Sequence, residues 1–325
     1  MAHAIRIHRY GGPEEMVWEE TETGRPGAGE VLLRQTAVGL NFIDTYNRTG
    51  YYPLPELPAT LGREAAGVVE ETGEGVDEFR PGDRVAYALT PGAYVEERLI
   101  SADQLVPLPE EVDDRQAAAV MIKGLTAHYL LRKTYEVKAG DRILVHAAAG
   151  GVGLLLCQWA KHLGATVIGT VGSPEKAALA RAHGCDVPVL YKDEDFVERV
   201  REITDGEGLP VVYDSVGETT FMKSLDCLAP LGVMVTYGQS SGPAPPLEVT
   251  TLAQKGSLFL TRPTLFHYVA RRESLLANSS ELLDLVSRGV LRIEIGQTYP
   301  LRDAVQAHRD LEARKTTGST ILIPG

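Results

Sequence analysis

Apolar residues follow two different rhythms along this chain. Up to about residue 120 they come in short runs and alternations broken by Gly and Pro. Val31-Leu32-Leu33-Arg34-Gln35-Thr36-Ala37-Val38, Gly67-Val68-Val69-Glu70 and Pro81-Gly82-Asp83-Arg84-Val85 are examples. That rhythm predicts strands joined by turns, a compact β-rich domain. From about 123 to 262 short apolar runs alternate with longer helix-prone stretches, the order of a doubly wound parallel sheet. Strands are expected over 142–146, 166–171, 187–190, 210–213, 232–237 and 257–261. From about 264 the chain turns helical and polar and ends in the strand-like Ser319-Thr320-Ile321-Leu322-Ile323. This tail is expected to return and complete the first domain.

The most informative stretch lies where the second rhythm begins. Gly140-Asp141 is a turn, Ile143-Leu144-Val145 suits a buried parallel strand, and Leu154 to Leu163 suits a helix. Between them stands Ala147-Ala148-Ala149-Gly150-Gly151-Val152-Gly153. Strand, glycine turn, helix is the order in which a helix N-terminus receives a pyrophosphate. Gly150 lets the backbone approach the phosphates, and Gly153 lets the helix pack on the strand. Ala148 stands where the usual fingerprint has its first glycine.

A second strand, Ala165 to Val171, follows. An NAD site carries Asp or Glu about 20 residues past the glycines, for the ribose 2′-hydroxyl. Here the position is Val171, so nothing repels a 2′-phosphate. The next loop, Gly172-Ser173-Pro174-Glu175-Lys176, supplies a hydroxyl, backbone N–H groups and an ammonium, the chemistry a 2′-phosphate requires. Ser173 and Pro174 equally suit the cap and first position of a helix. NADPH is the expected cofactor, more from the missing acid than from the lysine.

Composition narrows the classes. The chain's 325 residues suffice for two cores. A net charge of −12 argues against nucleic acid or an anionic membrane as partner. No stretch approaches the ~20 apolar residues of a membrane helix. The N-terminal residues read as strand, not as a signal sequence. Cys157, Cys185 and Cys227 are widely spaced with no CxxC, which fits buried thiols and a cytoplasmic location.

Residues 140–161 resemble the quinone oxidoreductase and zeta-crystallin branch of the medium-chain dehydrogenase/reductase superfamily, through Gly140, Asp141, Leu144, Ala148, Ala149, Gly150, Gly151, Gly153, Gln158 and Lys161. The resemblance covers essentially the whole chain and looks closest to bacterial NADPH:quinone reductases. It includes Gly39-Leu40-Asn41-Phe42-Ile43-Asp44, Gly62-Arg63-Glu64-Ala65-Ala66-Gly67, Lys123-Gly124-Leu125-Thr126-Ala127, Tyr213-Asp214-Ser215-Val216-Gly217 and Thr261-Arg262-Pro263. It implies a Rossmann domain, 123–263, inserted in a GroES-like catalytic domain made of 1–122 and 264–325.

The resemblance also implies a site. Residues 41–52 align with the wall of the catalytic cleft. Tyr46, Tyr51 and Tyr52 offer aromatic faces and phenolic donors to a planar acceptor. Tyr46 and Tyr52 are the stronger candidates, and Asn41 would orient either the nicotinamide or a carbonyl oxygen. Lys123 is expected to open a helix running through Tyr129, with Thr126 and Tyr129 beside the cofactor. Tyr191 would lie near the adenosine and Arg314 near the phosphates. Loops after later strands place Ser215, Tyr237, Gly238, Gln239 and Ser240 at the cofactor too, since ligands bind outside the carboxyl ends of strands in such sheets. Arg262 has no settled role.

Zinc relatives in the superfamily usually carry Cys at the position of Asn41 and His at that of Arg63. Zinc needs three or four Cys, His or carboxylate ligands, and no His-x-x-x-His spacing occurs. The expected reaction is therefore metal-free transfer of reducing equivalents from NADPH to a quinone in the inter-domain cleft. A quinone suits such a site because its reduced oxygen is a delocalised, phenolate-like anion, so proximity and a few hydrogen bonds suffice. Reduction of enones or other activated alkenes is an alternative. A nucleotide-binding structural or RNA-binding role is another, disfavoured by the charge. The strand Ser257 to Thr261, ended by Pro263, reads as a sheet edge that would pair with its own copy in a homodimer.

Overall fold

The computed structural model describes residues 2–325. The chain divides into two compact units. The first comprises 1–125, 269–287 and 293–325, the second 126–268 and 288–292. The sequence pattern places these limits at 122 and 263 and leaves 288–292 in the first unit, whereas the fold gives them to the second. There Gln158 Nε2 donates to the Arg292 carbonyl (3.1 Å) and Arg292 N donates to Gln158 Oε1 (2.9 Å).

The second unit is a six-stranded parallel sheet. In spatial order its strands are Val187–Leu190, Thr166–Val171, Arg142–Val145, Leu209–Asp214, Leu228–Thr236 and Phe259–Thr261. By chain order this is 3-2-1-4-5-6, with its switch point between Arg142–Val145 and Leu209–Asp214. Ile143 pairs with both Val167 and Val211, so the glycine turn leaves from the centre of the sheet. Leu144, Ile168, Val189, Val212 and Met234 form one face of its core. Two boundaries differ from the expected ones by more than one residue. The fifth strand begins at 228, ahead of 232, and passes through Leu231 at φ 66°. The last begins at 259, because Gly256 and Ser257 turn at φ 111° and 56°.

The first unit holds a seven-stranded sheet. Six strands run in the order Ile295–Pro300, Ser319–Ile323, Glu30–Leu40, Glu64–Thr72, Arg84–Ala88, Val106–Pro107, and Glu97–Ser101 pairs with Glu30–Leu40. Thr320, Ile321 and Leu322 pair antiparallel with Leu40, Gly39 and Val38, so the C-terminal strand does return to the first sheet. A smaller sheet joins Ala2–Ile7 to Met16–Thr21 and Ala59–Thr60. The core gathers Ile5, Ile7, Leu33, Leu40, Tyr94 and Leu322.

The helix expected to open at Lys123 begins nine residues earlier, spanning Asp114–Tyr129. Its start is a capping box. Gln116 N donates to Asp113 Oδ1 (2.8 Å), and Asp113 N donates back to Gln116 Oε1 (3.1 Å). Asp113-Asp114-Arg115-Gln116 spells that box in the sequence. Gly124 lies mid-helix because a Cβ there would stand 2.5 Å from a Leu282 methyl.

Candidate active site

The turn after Arg142–Val145 is held by backbone geometry. The left-handed residue is Ala147, at φ 52°, and Gly150 caps the helix Gly151–His162 in an extended conformation. Gly150 N donates to the Ala147 carbonyl (2.9 Å) and Leu154 N to the Gly150 carbonyl (2.9 Å). No side chain caps this helix and its first turn carries no acid. The N–H groups of Gly151, Val152 and Gly153 are therefore the orphan donors of a helix N-terminus, suited to an anion. A Cβ on Gly153 would overlap the Ala147 carbonyl, so this glycine does permit close packing.

A buried histidine braces the turn from below. Ser224 Oγ donates to the Thr220 carbonyl (2.8 Å), so it accepts from His146 Nε2 (2.8 Å). His146 Nδ1 then accepts from Thr170 Oγ1 (2.9 Å), and Ala147 N donates to that same Thr170 oxygen (3.3 Å). Burial lowers the His146 pKa, consistent with a neutral ring.

At the end of Thr166–Val171 the side chain of Val171 is buried. Ser173 caps the helix Pro174–Ala182 by accepting from Lys176 N (3.3 Å). A Cβ on Gly172 would stand 2.9 Å from the Tyr191 hydroxyl. The structure thus brings Gly172, Ser173, Lys176 and Tyr191 together around one turn. Glu175 joins them, and a hydrogen bond from Ser173 holds its carboxyl below the usual range.

The loops after the fourth and fifth strands are laced together. Ser240 N donates to the Ser215 carbonyl (3.1 Å), and a Cβ on Gly238 would lie 2.6 Å from that oxygen. Arg262 supports this pair: Nη1 donates to the Thr236 carbonyl (3.0 Å) and Nη2 to Gln239 Oε1 (3.4 Å). Asp214 anchors the other loop, accepting from Val216 N (2.7 Å), Gly217 N (3.1 Å) and Thr220 Oγ1 (2.9 Å). Tyr129 is buried and stacks on Tyr268 at 4.4 Å. Burial raises its pKa, with Tyr237 and Tyr268 adding to the rise and Arg262 opposing it, so these four side chains form one group. Tyr268 carried no sequence signal. Thr126, also buried, lies one turn before Tyr129.

In the first unit, residues 42–49 of the expected cleft wall form a helix. Asn41 caps it, its N–H donating to Asp44 Oδ2 (2.8 Å), and Gly50 ends it at φ 78°. Tyr46, Tyr51 and Tyr52 cluster, with ring centroids 5.0 to 5.8 Å apart. Tyr51 and Tyr52 are exposed, and the backbone of Tyr52 is pinned by Tyr46 O (3.1 Å) and Asn47 Nδ2 (2.8 Å). Asn41 Nδ2 donates to Glu64 Oε2 (2.7 Å). Lys123 is not at a helix start but is the charge partner of Glu64 at 3.5 Å. Arg314 belongs to the first unit, at φ 57° after the helix Ala304–Glu312.

Beneath the tyrosine helix runs a buried chain with one consistent set of proton positions. Arg48 Nη1 donates to His308 Nδ1 (2.8 Å), and a guanidinium cannot accept, so the imidazole proton is on Nε2. That N–H donates to the Tyr94 oxygen (3.1 Å), and Tyr94 O–H donates to Asp44 Oδ2 (3.0 Å). Burial raises the Asp44 pKa to about 7, while burial and then Arg48 lower that of His308 to about 3.

Residues 151–286 match the family model for zinc-binding dehydrogenases, and 27–110 match that for the alcohol dehydrogenase GroES-like domain. The positions at which the zinc branch supplies ligands do not suit the metal. Asn41 is committed to Glu64, and Arg63, a cation, donates to Asn47 Oδ1 (2.7 Å) and the Leu89 carbonyl (3.0 Å). The chain is 54% identical to a Pseudomonas aeruginosa quinone oxidoreductase over the full length of both. It is 50% identical to a Burkholderia 2-haloacrylate reductase, covering 100% of this chain and 99% of that protein. The crystal structure of Escherichia coli quinone oxidoreductase complexed with NADPH superposes with a TM-score of 0.97 at 49% identity, covering 99% of this chain and all of that one. Full-length identity, the Rossmann sheet and the GroES-like match together make this chain a member of the quinone oxidoreductase branch of the medium-chain dehydrogenase/reductase superfamily.

Proposed function

We propose that this protein is an NADPH-dependent quinone reductase that works without a metal ion. The observation that carries the reading is the grouping of Gly172, Ser173, Lys176 and Tyr191 at the end of a strand that closes on buried Val171. It fits a 2′-phosphate where an NAD site carries a carboxylate. The N–H groups of Gly151, Val152 and Gly153 would hold the pyrophosphate. Thr126, Tyr129, Ser215, Tyr237, Gly238, Gln239 and Ser240 would line the remainder of the cofactor site, with Arg314 contributing charge. The unit of 126–268 and 288–292 would act as the cofactor domain, and that of 1–125, 269–287 and 293–325 as the catalytic domain. When bound, NADPH supplies the hydride, so that NADPH, one proton and a quinone give NADP⁺ and a hydroquinone. Tyr46 and Tyr52 would stack against the quinone and donate to its carbonyl.

The test is steady-state NADPH oxidation against a panel of quinones, enones and 2-haloacrylates. Quinones should have the highest kcat/KM, with NADPH preferred to NADH and activity kept after dialysis against a strong chelator. A higher kcat/KM for 2-haloacrylates would move the substrate to the class named by the Burkholderia relative. We also infer a homodimer through Phe259–Thr261. It pairs with Leu228–Thr236 on one side, and Phe259 is 60% exposed. Light scattering at micromolar concentration should give twice the 35.2 kDa chain mass. No helix among the described residues is long and apolar enough to cross a membrane.

A further inference from the structure

The turn that carries the glycines lacks one where its own geometry favours it. Ala147 sits at φ 52°, a left-handed conformation that is costly for a residue with a Cβ and nearly free for glycine. Ala147 is exposed, so burial of its methyl does not hold it there. What holds it lies on the neighbouring strand, Thr166–Val171. Thr170 receives two consecutive N–H groups of the turn: Ala147 N donates to its Oγ1 (3.3 Å) and Ala148 N to its carbonyl (3.0 Å). The residue before it is Gly169, where a Cβ would stand 2.6 Å from that of Ala148. The glycine missing from the first fingerprint position is thus matched by one across the sheet.

A hydroxyl has one proton, and the Thr170 oxygen can accept from Ala147 only while that proton points elsewhere. His146 Nδ1, 2.9 Å away, takes it. The ring's own proton is committed to Ser224 Oγ (2.8 Å), whose proton goes to the Thr220 carbonyl (2.8 Å). Every link therefore has one direction, and a lone pair of Thr170 is left for Ala147 N. Ala147 in turn sets the helix start, because its carbonyl accepts from Gly150 N (2.9 Å) and the helix begins at Gly151. We propose that His146 and Thr170 are positioning residues that hold Ala147 left-handed and so keep the N–H groups of Gly151, Val152 and Gly153 set for the cofactor's pyrophosphate. This rests on the NADPH reading above. Without the brace, Ala147 relaxes to negative φ in part of the population, and the apparent dissociation constant rises by the inverse of the fraction still competent.

The test measures, by calorimetry, the dissociation constants of NADPH and of adenosine 2′-monophosphate, which keeps the ribose phosphate but has no pyrophosphate. Thr170→Val preserves the shape of the side chain and removes the hydroxyl. It should raise the NADPH constant about five- to thirtyfold, the equivalent of one left-handed residue, and leave that of adenosine 2′-monophosphate within about twofold. Adding Ala147→Gly supplies the conformation without the brace and should return the NADPH constant to within about threefold of wild type. Thr170→Ser keeps the hydroxyl and should bind NADPH as the wild type does. Thr170→Ala removes the same hydroxyl and carries the same expectations should Thr170→Val fail to fold. A wild-type NADPH constant in the variant without the hydroxyl, a loss that Ala147→Gly does not recover, or equal losses for the two ligands overturns the proposal and leaves NADPH binding by the wild type standing. Wild-type protein that binds neither ligand overturns the cofactor reading itself.

Discussion

Two polar assemblies in this chain are built on opposite plans. The turn from Ala147 to Gly153 is made of backbone N–H groups from consecutive residues, left without side-chain caps. The chain beneath the tyrosine helix is made of side chains from Asp44, Arg48, Tyr94 and His308, brought together across up to 260 positions and wholly buried. The first keeps donors for a ligand. The second has nearly all of its hydrogen-bonding capacity met within the protein, Arg48 also donating to the Gly11 carbonyl and to Glu312, and only Asp44 Oδ1 of this group lacks a partner. Substitutions should separate them: the turn answers to added atoms, most of all at Gly153, whereas the buried chain answers to protons.

The largest effect is expected at the turn. Gly153→Val places its Cβ on the Ala147 carbonyl, which is backbone and cannot rotate away. Loss of about 3 kcal/mol or more, or failure to fold, should appear in urea denaturation. Gly150→Ala meets that same carbonyl at 3.2 Å, and should weaken NADPH binding in a fluorescence titration with little change in the urea midpoint. Equal stability losses for both would erase the distinction between packing and approach.

The buried chain should show itself through pH. Folded Asp44 keeps a proton up to about pH 7 that the unfolded chain has released by about pH 4, so its contribution to stability falls as pH rises across that window. Folded His308 refuses, down to about pH 3, a proton that the unfolded chain takes near pH 6.5, so its contribution falls as pH drops. The two oppose and largely cancel in the wild type. Relative to it, Asp44→Asn should be less stable at pH 5 than at pH 7.5, and His308→Gln more stable, each by about 2 kcal/mol. Denaturant midpoints at the two pH values decide it; parallel profiles for both variants would refute the proton assignment.

These contrasts also explain what the sequence made legible. The strand, glycine turn and helix at 142–162 lie within one local run, as do Val171, Ser173 and Lys176, so spacing alone exposed them. The return of Ser319–Ile323 to the first sheet was visible as an unattached apolar strand. The roles of Glu64, Asp44, Tyr94 and His308 are not legible locally, because their chemistry depends on partners 23 to 260 residues away. Nothing in the local text of His308 distinguishes it from a surface histidine. The Asp113–Gln116 capping box is local and legible, and it sets the helix start at Asp114, nine residues ahead of Lys123.

At the ribose end, Lys176→Ala should weaken NADPH by about 1.5–3 kcal/mol and leave NADH nearly unchanged, since one charge-assisted phosphate contact is removed. Parallel fluorescence titrations of both cofactors would show it. Equal losses for the two would assign Lys176 to the helix alone.

The smallest expected effect repeats one chemical edit in both environments. Tyr52→Phe removes an exposed hydroxyl whose backbone stays pinned by Tyr46 and Asn47. Its melting temperature should not move, and kcat/KM for the quinone should fall about two- to tenfold through the loss of one donor, with KM for NADPH unchanged. Tyr94→Phe removes an equally small group but strips Asp44 and His308 of a shared partner in a buried setting, where an unsatisfied polar atom costs about 1–3 kcal/mol. It should lower stability while leaving the ratio of quinone to cofactor kinetics intact. If Tyr52→Phe instead destabilises the protein without touching quinone kinetics, the exposed tyrosines are scaffold and the acceptor binds elsewhere. That outcome would leave the buried chain as it is and remove the aromatic wall from the site.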